Sequence, residues 1–138
     1  MEHYRQSLEN VLRTIDDLRE QLDEIERVTR EGLADARTGS ALMDQKTQWP
    51  ERIRARERLI EALTAVNSTM MRARAHFIRV LVDEEGQKIA DLALMLGNSR
   101  QLVKRQYDAA HVHLNASTND GSGTPVLKPA QGRDSGSR

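Results

Sequence analysis

At 138 residues the chain allows one modest domain or a small domain with extensions. Hydrophobic residues make up 38%, aromatics 3% and charged residues 30%, with a mean hydropathy of −0.67, which favours an elongated helical protein over a compact α/β domain. Cysteine is absent, which excludes disulfides and thiolate metal sites, and no apolar run approaches the roughly 20 residues of a bilayer span, so a soluble cytoplasmic protein is expected.

Net charge is zero but unevenly spread: residues 1–50 hold 7 Lys/Arg against 11 Asp/Glu, and residues 51–111 hold 11 against 8. Within 1–31, Leu8, Ile15 and Leu22 mark one position of a heptad, and Val11, Leu18 and Ile25 the other. A helix with such a seam needs a partner. A second copy of the chain, a later helix of the same chain, and two hairpins joined as a four-helix dimer all satisfy it. Gly32 is expected to stop this helix.

Residues 32–50 lose the pattern and contain Gly32, Gly39, Ser40 and Pro50, so a loop is expected, with a helical turn near Ala41 and Trp49 anchoring it on apolar surface. Pro50 fits the first turn of a second long helix. Leu59, Leu63, Val66, Met70, Ala73, Phe77 and Leu81 form its stripe, and Gly86 its left-handed end. Arg52, Arg54, Arg56 and Arg58 are expected to solvate its surface, whereas Arg72, Arg74 and Arg79 lie closer to the next unit. His76 has no neighbour at metal-ligand spacing and is expected to pack or face solvent.

A short helix from about Lys88 to Leu96 follows, with Ile89, Leu92, Ala93 and Leu96 on its inner face. Gly97 supplies a positive φ for a sharp turn, and Ser99 is a strong N-cap. The next helix has Leu102, Val103, Tyr107 and Ala110 as its inner stripe, with His111 and His113 at its fraying end. From Asn115 onward the chain is rich in Gly, Ser, Thr, Pro and Asp, so a disordered tail over 115–138 is expected, with Pro125 to Pro129 as its one segment suited to a peptide partner.

The stretch from Gln87 to Ala110 resembles the repressor-type and sigma-factor-type helix-turn-helix family, in particular bacterial regulators reading Ile-Ala-x-x-Leu-Gly-x-Ser-Arg-Gln. Leu92-Ala93 opens the motif, Leu96-Gly97 marks the turn and Ser99-Arg100-Gln101 starts the recognition helix. Two positions depart from the pattern: Asn98 stands where a buried Val or Ile is usual, and Gln106 where an apolar residue is usual. The resemblance implies that the second helix enters the major groove of double-stranded DNA with Arg100, Gln101, Lys104, Arg105 and Asp108 outward. Gln101 would then read adenine, Arg100 or Arg105 guanine, while Lys88 and Ser99 bond phosphates.

The expected fold class is all-α: a long helical hairpin or coiled coil over 1–69 that dimerises, with a loop at 32–50, then a trihelical helix-turn-helix unit over 70–114. The resemblance implies a homodimeric, sequence-specific transcriptional regulator of the bacterial nucleoid. The alternative is an architectural or interaction module, in which the acidic first helix binds a protein and the helix-turn-helix docks or binds DNA without sequence choice. No nucleophile with a base, no metal constellation and no phosphate loop is present, so neither enzymatic activity nor a cofactor is expected.

Overall fold

The chain folds as an all-α protein. In the computed structural model, which describes residues 1–119, four helices follow in order: α1 (Glu2–Arg37), α2 (Trp49–Arg79), α3 (Ile89–Leu96) and α4 (Arg100–Asn119). Only helices, turns and irregular segments occur among the described residues.

α1 does not stop at Gly32. The Arg52 guanidinium carbon lies 3.6 Å from where a Cβ on Gly32 would stand, so this glycine accommodates a neighbouring side chain inside a continuing helix. The helix ends at Arg37, and Gly39 two residues on takes φ +74°. The Gly39 amide donates to the Ala36 carbonyl and the Ser40 amide to the Asp35 carbonyl, each at 3.2 Å. These paired bonds cover carbonyls that the helix end would otherwise leave open. The expected loop is correspondingly shorter, because residues 42–48 form a 3-10 helix leading directly into α2. Pro50 occupies the first turn of α2, where its missing N–H costs nothing. Trp49 keeps 39% of its surface, so it is no buried anchor. Gln45 is the buried residue of the connector, and Arg52 ties the junction: it donates to Gln45 Oε1 at 2.9 Å and to Asp35 Oδ2 at 3.0 Å.

α1 and α2 pack as an antiparallel hairpin. Only half of the expected heptad borders its seam: Val11, Leu18 and Ile25 of α1 are half-buried, as are Leu59 and Val66 of α2. In α2 the residues turned inward are Ala55, Ala62, Thr69 and His76, spaced by seven. In α1 they are Ser7, Thr14, Gln21 and Val28, with the same spacing. The two threonines at mid-seam, Thr14 and Thr69, share a hydrogen bond between hydroxyls at 2.9 Å. Small side chains bring the helices close, and the Leu8 and Leu22 side of the heptad is displaced to one flank. Leu8 and Leu22 of α1 remain 42% and 45% exposed, and Leu63 and Met70 of α2 remain 50% and 54% exposed.

Beyond Arg79 the long helix widens into a π-helical turn, Val80–Glu84, and Glu85 N donates to Val80 O at 3.1 Å, five residues back. Gly86, in the left-handed region, redirects the chain into α3. The second core lies here. Ile78, Leu92, Ala93 and Val103 are buried together, with Phe77, Leu81, Val82, Ile89, Leu96 and Tyr107 packed around them. α4 continues to Asn119, five residues into the expected tail; the remainder of that tail, Pro125 to Pro129 included, lies outside the described residues. No helix among the described residues is long and apolar enough to cross a membrane.

Candidate nucleic-acid interface

The corner between α3 and α4 is built by local chemistry. Gly97 takes φ +65°, which an L side chain adopts only with strain. The turn it makes lets Asn98 N donate to Ala93 O at 2.9 Å and Gly97 N to Leu94 O at 3.3 Å, closing the end of α3. Ser99 Oγ accepts from Leu102 N at 3.2 Å and so caps α4. Val103 and Ala110 are fully buried, and Leu102 and Tyr107 are half-buried, so one face of α4 is fixed against α2 and α3.

The opposite face is open. Arg100, Gln101, Lys104 and Arg105 are all exposed and recur at helical spacing, so they share that face, with the exposed Asp108 one turn on. Three of these four residues carry a positive charge and the fourth an amide, a set that donates to phosphate and to base edges. Ser99, also exposed, spends its oxygen on the cap but keeps its hydroxyl proton to donate. Lys88 stands apart from them. It precedes α3, and eight helical residues, about 12 Å of rise, separate it from the turn.

Both departures from the family pattern have partners here. Gln106 is half-buried and accepts from Arg74 Nε at 3.3 Å, which binds α4 to α2 through polar groups where an apolar contact is usual. Asn98 is half-buried, and its backbone closes the turn.

Other expectations need correction. Arg79 does not face outward with Arg72 and Arg74: it is 9% exposed and donates to Glu84 Oε1 at 3.4 Å. His111 is no fraying end. Its Nε2 lies 3.2 Å from Asp83 Oδ2, and its ring meets Tyr107 edge-on with centroids 4.7 Å apart. The Tyr107 hydroxyl donates to the other Asp83 oxygen at 2.7 Å, and this bond, aided by desolvation, raises the phenol pKa above its usual value. Asp83, on the π-helical turn, thus clamps α4 from the side away from the open face. No pattern in the sequence links residue 83 to residues 107 and 111. The charged types were visible, but their convergence needed the fold.

Comparison with protein-family models, curated proteins and solved structures gives no match. The physical arrangement therefore carries the functional argument. No group of three or more His, Cys, Asp or Glu suited to a metal ion occurs among the described residues. Leu94 and Met95, which no periodicity singles out, lie on the outer side of α3 with 82% and 74% exposure.

Proposed function

We propose that the protein binds double-stranded DNA sequence-specifically, as a dimeric transcriptional regulator of bacterial type, with α4 as the groove-reading helix. One observation carries this reading: Arg100, Gln101, Lys104 and Arg105 stand exposed on one face of a helix whose other face is locked into a core. Rigid presentation matters because base recognition requires donors held at fixed spacing, and a groove about 12 Å wide admits one helix. On this reading the protein resides with the nucleoid in the cytoplasm and needs no cofactor.

Selection of bound duplexes from a random pool tests the reading. A defined site with salt-sensitive affinity is expected, and binding that ignores sequence would refute it. Replacing Arg100 and Gln101 by Ala should erode discrimination by about 1–3 kcal/mol for each lost bidentate base contact. Lys88→Ala should weaken every duplex similarly and reduce the salt slope by about one unit. Uniform loss from the Arg100 and Gln101 changes would remove them from the base-reading role.

The dimer in this proposal uses the apolar flank of the hairpin. Tyr4, Leu8, Val11, Met70 and Phe77 line an apolar groove of about 500 Å³ there, and the heptad continues the stripe through Ile15, Leu22 and Leu63. A second copy is the occupant that fits, because the surface is self-complementary. Both helices of the hairpin expose apolar residues on this flank. The acidic α1 can also lie beside the exposed Arg54, Arg56 and Arg58 of the other copy. Sedimentation of a Leu22→Glu, Leu63→Glu variant is expected to show a helical monomer with dimerisation weakened at least about 100-fold, since each leucine contributes about 1.5–3 kcal/mol when buried. A wild-type protein that sediments as a monomer at all accessible concentrations would rule the dimer out.

The exposed Leu94 and Met95 favour a second reading, in which the corner docks on a protein. Under it, Leu94→Ser with Met95→Ser abolishes function in cells without changing affinity for any duplex.

A further inference from the structure

On the flank of the hairpin that carries α4, three helices meet around a cavity of about 380 Å³. α1 contributes His3, Gln6 and Asn10, α2 contributes Arg72 and His76, and α4 contributes His113. The imidazoles are gathered: His3 and His76 stack with centroids 6.0 Å apart, and His76 and His113 lie 6.5 Å apart. They are 73 and 37 positions apart in the chain, so only the fold brings them together.

The cavity has an unusual polar balance. Among the described residues its lining includes no carboxylate. Arg72 contributes a permanent charge, Gln6 and Asn10 contribute amide donors, and the histidines contribute ring nitrogens that donate to an anion when protonated. His76 is 4% exposed, and its Nδ1 has no hydrogen-bond partner among the described residues. A buried polar atom without a partner is costly, and one that lines a cavity is open to a water, an ion or a ligand that completes its bonding. The volume lies within the range of small-molecule sites and exceeds what a single water needs.

We infer that this cavity is a binding site for a small oxyanion, a phosphate or a carboxylate compound, held by Arg72 and the His3, His76 and His113 rings with amide support from Gln6 and Asn10. A negative ligand complements the Arg72 charge and the orphaned His76 Nδ1. It would also bridge the hairpin to α4, since the walls come from all three helices. Burial and the neighbouring cations hold His76 well below its usual pKa, to about 4, and a bound anion removes much of that electrostatic cost. Binding is measured without DNA, so the inference stands or falls separately from the proposed function.

The test is a titration of the full chain at neutral pH, following the histidine ring resonances by NMR. Inorganic phosphate and citrate serve as the two probes, with chloride at matched ionic strength as the control. Saturable shifts of the His76 and His113 rings are expected with one probe, at a Kd of about 1 mM or tighter, and the probe that saturates identifies the ligand chemistry. Arg72→Gln, at an exposed position, should raise that Kd at least about tenfold while leaving the melting temperature in chloride unchanged. His76→Asn should do the same if it folds, but Arg72→Gln decides the matter without it. Shifts that never saturate, shifts matched by chloride, or an unchanged Kd in Arg72→Gln would each overturn the inference.

Discussion

Truncating Leu92 to alanine is expected to destabilise the α3–α4 unit by about 2–5 kcal/mol, the range for removing a fully buried leucine from a packed core. Leu92 is 1% exposed, and only Ile78, Ala93 and Val103 are buried with it at the centre of that unit. So few residues leave little to close around a cavity, and the loss is a large share of the roughly 5–15 kcal/mol that holds a typical domain together. The hairpin seam of Ala55, Ala62 and Val28 is a separate contact and does not lose packing. Amide exchange should therefore accelerate most in α3 and α4 and least in the middle of α1 and α2. Leu94→Ala gives the control. It removes the same atoms from the same helix, but at 82% exposure, and should change stability by less than about 0.5 kcal/mol. Urea unfolding of both variants checks the contrast. Equal effects would mean that α3 does not present Leu92 inward. On the proposed function, Leu92→Ala also abolishes sequence-selective DNA binding without altering any residue of the open face.

The α3–α4 corner was legible because each of its parts has a local cause. Gly97 permits the turn, Ser99 caps the next helix, and Leu92, Ala93 and Val103 fall at spacings that only an inward face explains. The open face followed as the remainder of the same helix, so the outward set of Arg100, Gln101, Lys104 and Arg105 came from periodicity once the resemblance had set the frame. The α1–α2 pairing was legible only as a need for a partner. Hydrophobic periodicity weighs leucine above alanine and serine, so it pointed to Leu8, Ile15 and Leu22 together with Val11, Leu18 and Ile25, and only the second set borders the seam. Close approach instead favours small residues at the same seven-residue interval, and Ser7, Thr14, Ala55 and Ala62 do not register as a stripe. Inside one chain Leu8 and Leu22 lie on the flank, where the proposed dimer uses them.

Chain ends and long-range polar contacts were the least readable. Gly32 and Gly39 are equivalent as signals, and the difference between them lies in Arg52, which passes over the first. Arg52 itself looked like one member of a solvated run with Arg54, Arg56 and Arg58, because its partners Asp35 and Gln45 lie across the connector. The Asp83 clamp and the His3–His76–His113 cluster have the same origin: residues of ordinary type, far apart in the chain, made neighbours by helix packing.

Acidification from pH 6.5 towards 4 is expected to destabilise the protein by up to about 3 kcal/mol through His76 alone, at about 1.4 kcal/mol per pKa unit. The ring is buried at the junction of three helices. It faces His3 from α1, Arg72 and Arg79 from its own helix and His113 from α4, so desolvation first, then Arg79 and the other basic neighbours, hold its pKa down to about 4 from 6.5. Between those values the unfolded chain takes up a proton that the folded chain refuses. The unfolded state therefore binds more protons, stability rises with pH across this window, and it falls as the solution is made acid. The carboxylates act elsewhere. Glu84, paired with the Met1 ammonium, and Glu24, paired with Arg27, have pKa values lowered from 4.5, so their contributions are lost only as pH falls below that value. Urea unfolding at pH 7.5, 6.5, 5.5 and 4.8 isolates the histidine window, and a flat profile there would contradict a neutral buried His76. A His76→Gln variant, lacking the titrating ring, should lose most of the slope. Saturating oxyanion should reduce it too, by a different route, because an anion in the cavity favours the charged ring and moves its folded pKa back towards 6.5. The pH slope is therefore a second readout of the cavity: loss on adding phosphate or citrate but not chloride requires a bound charge beside His76, which neither the hairpin seam nor the α4 packing supplies.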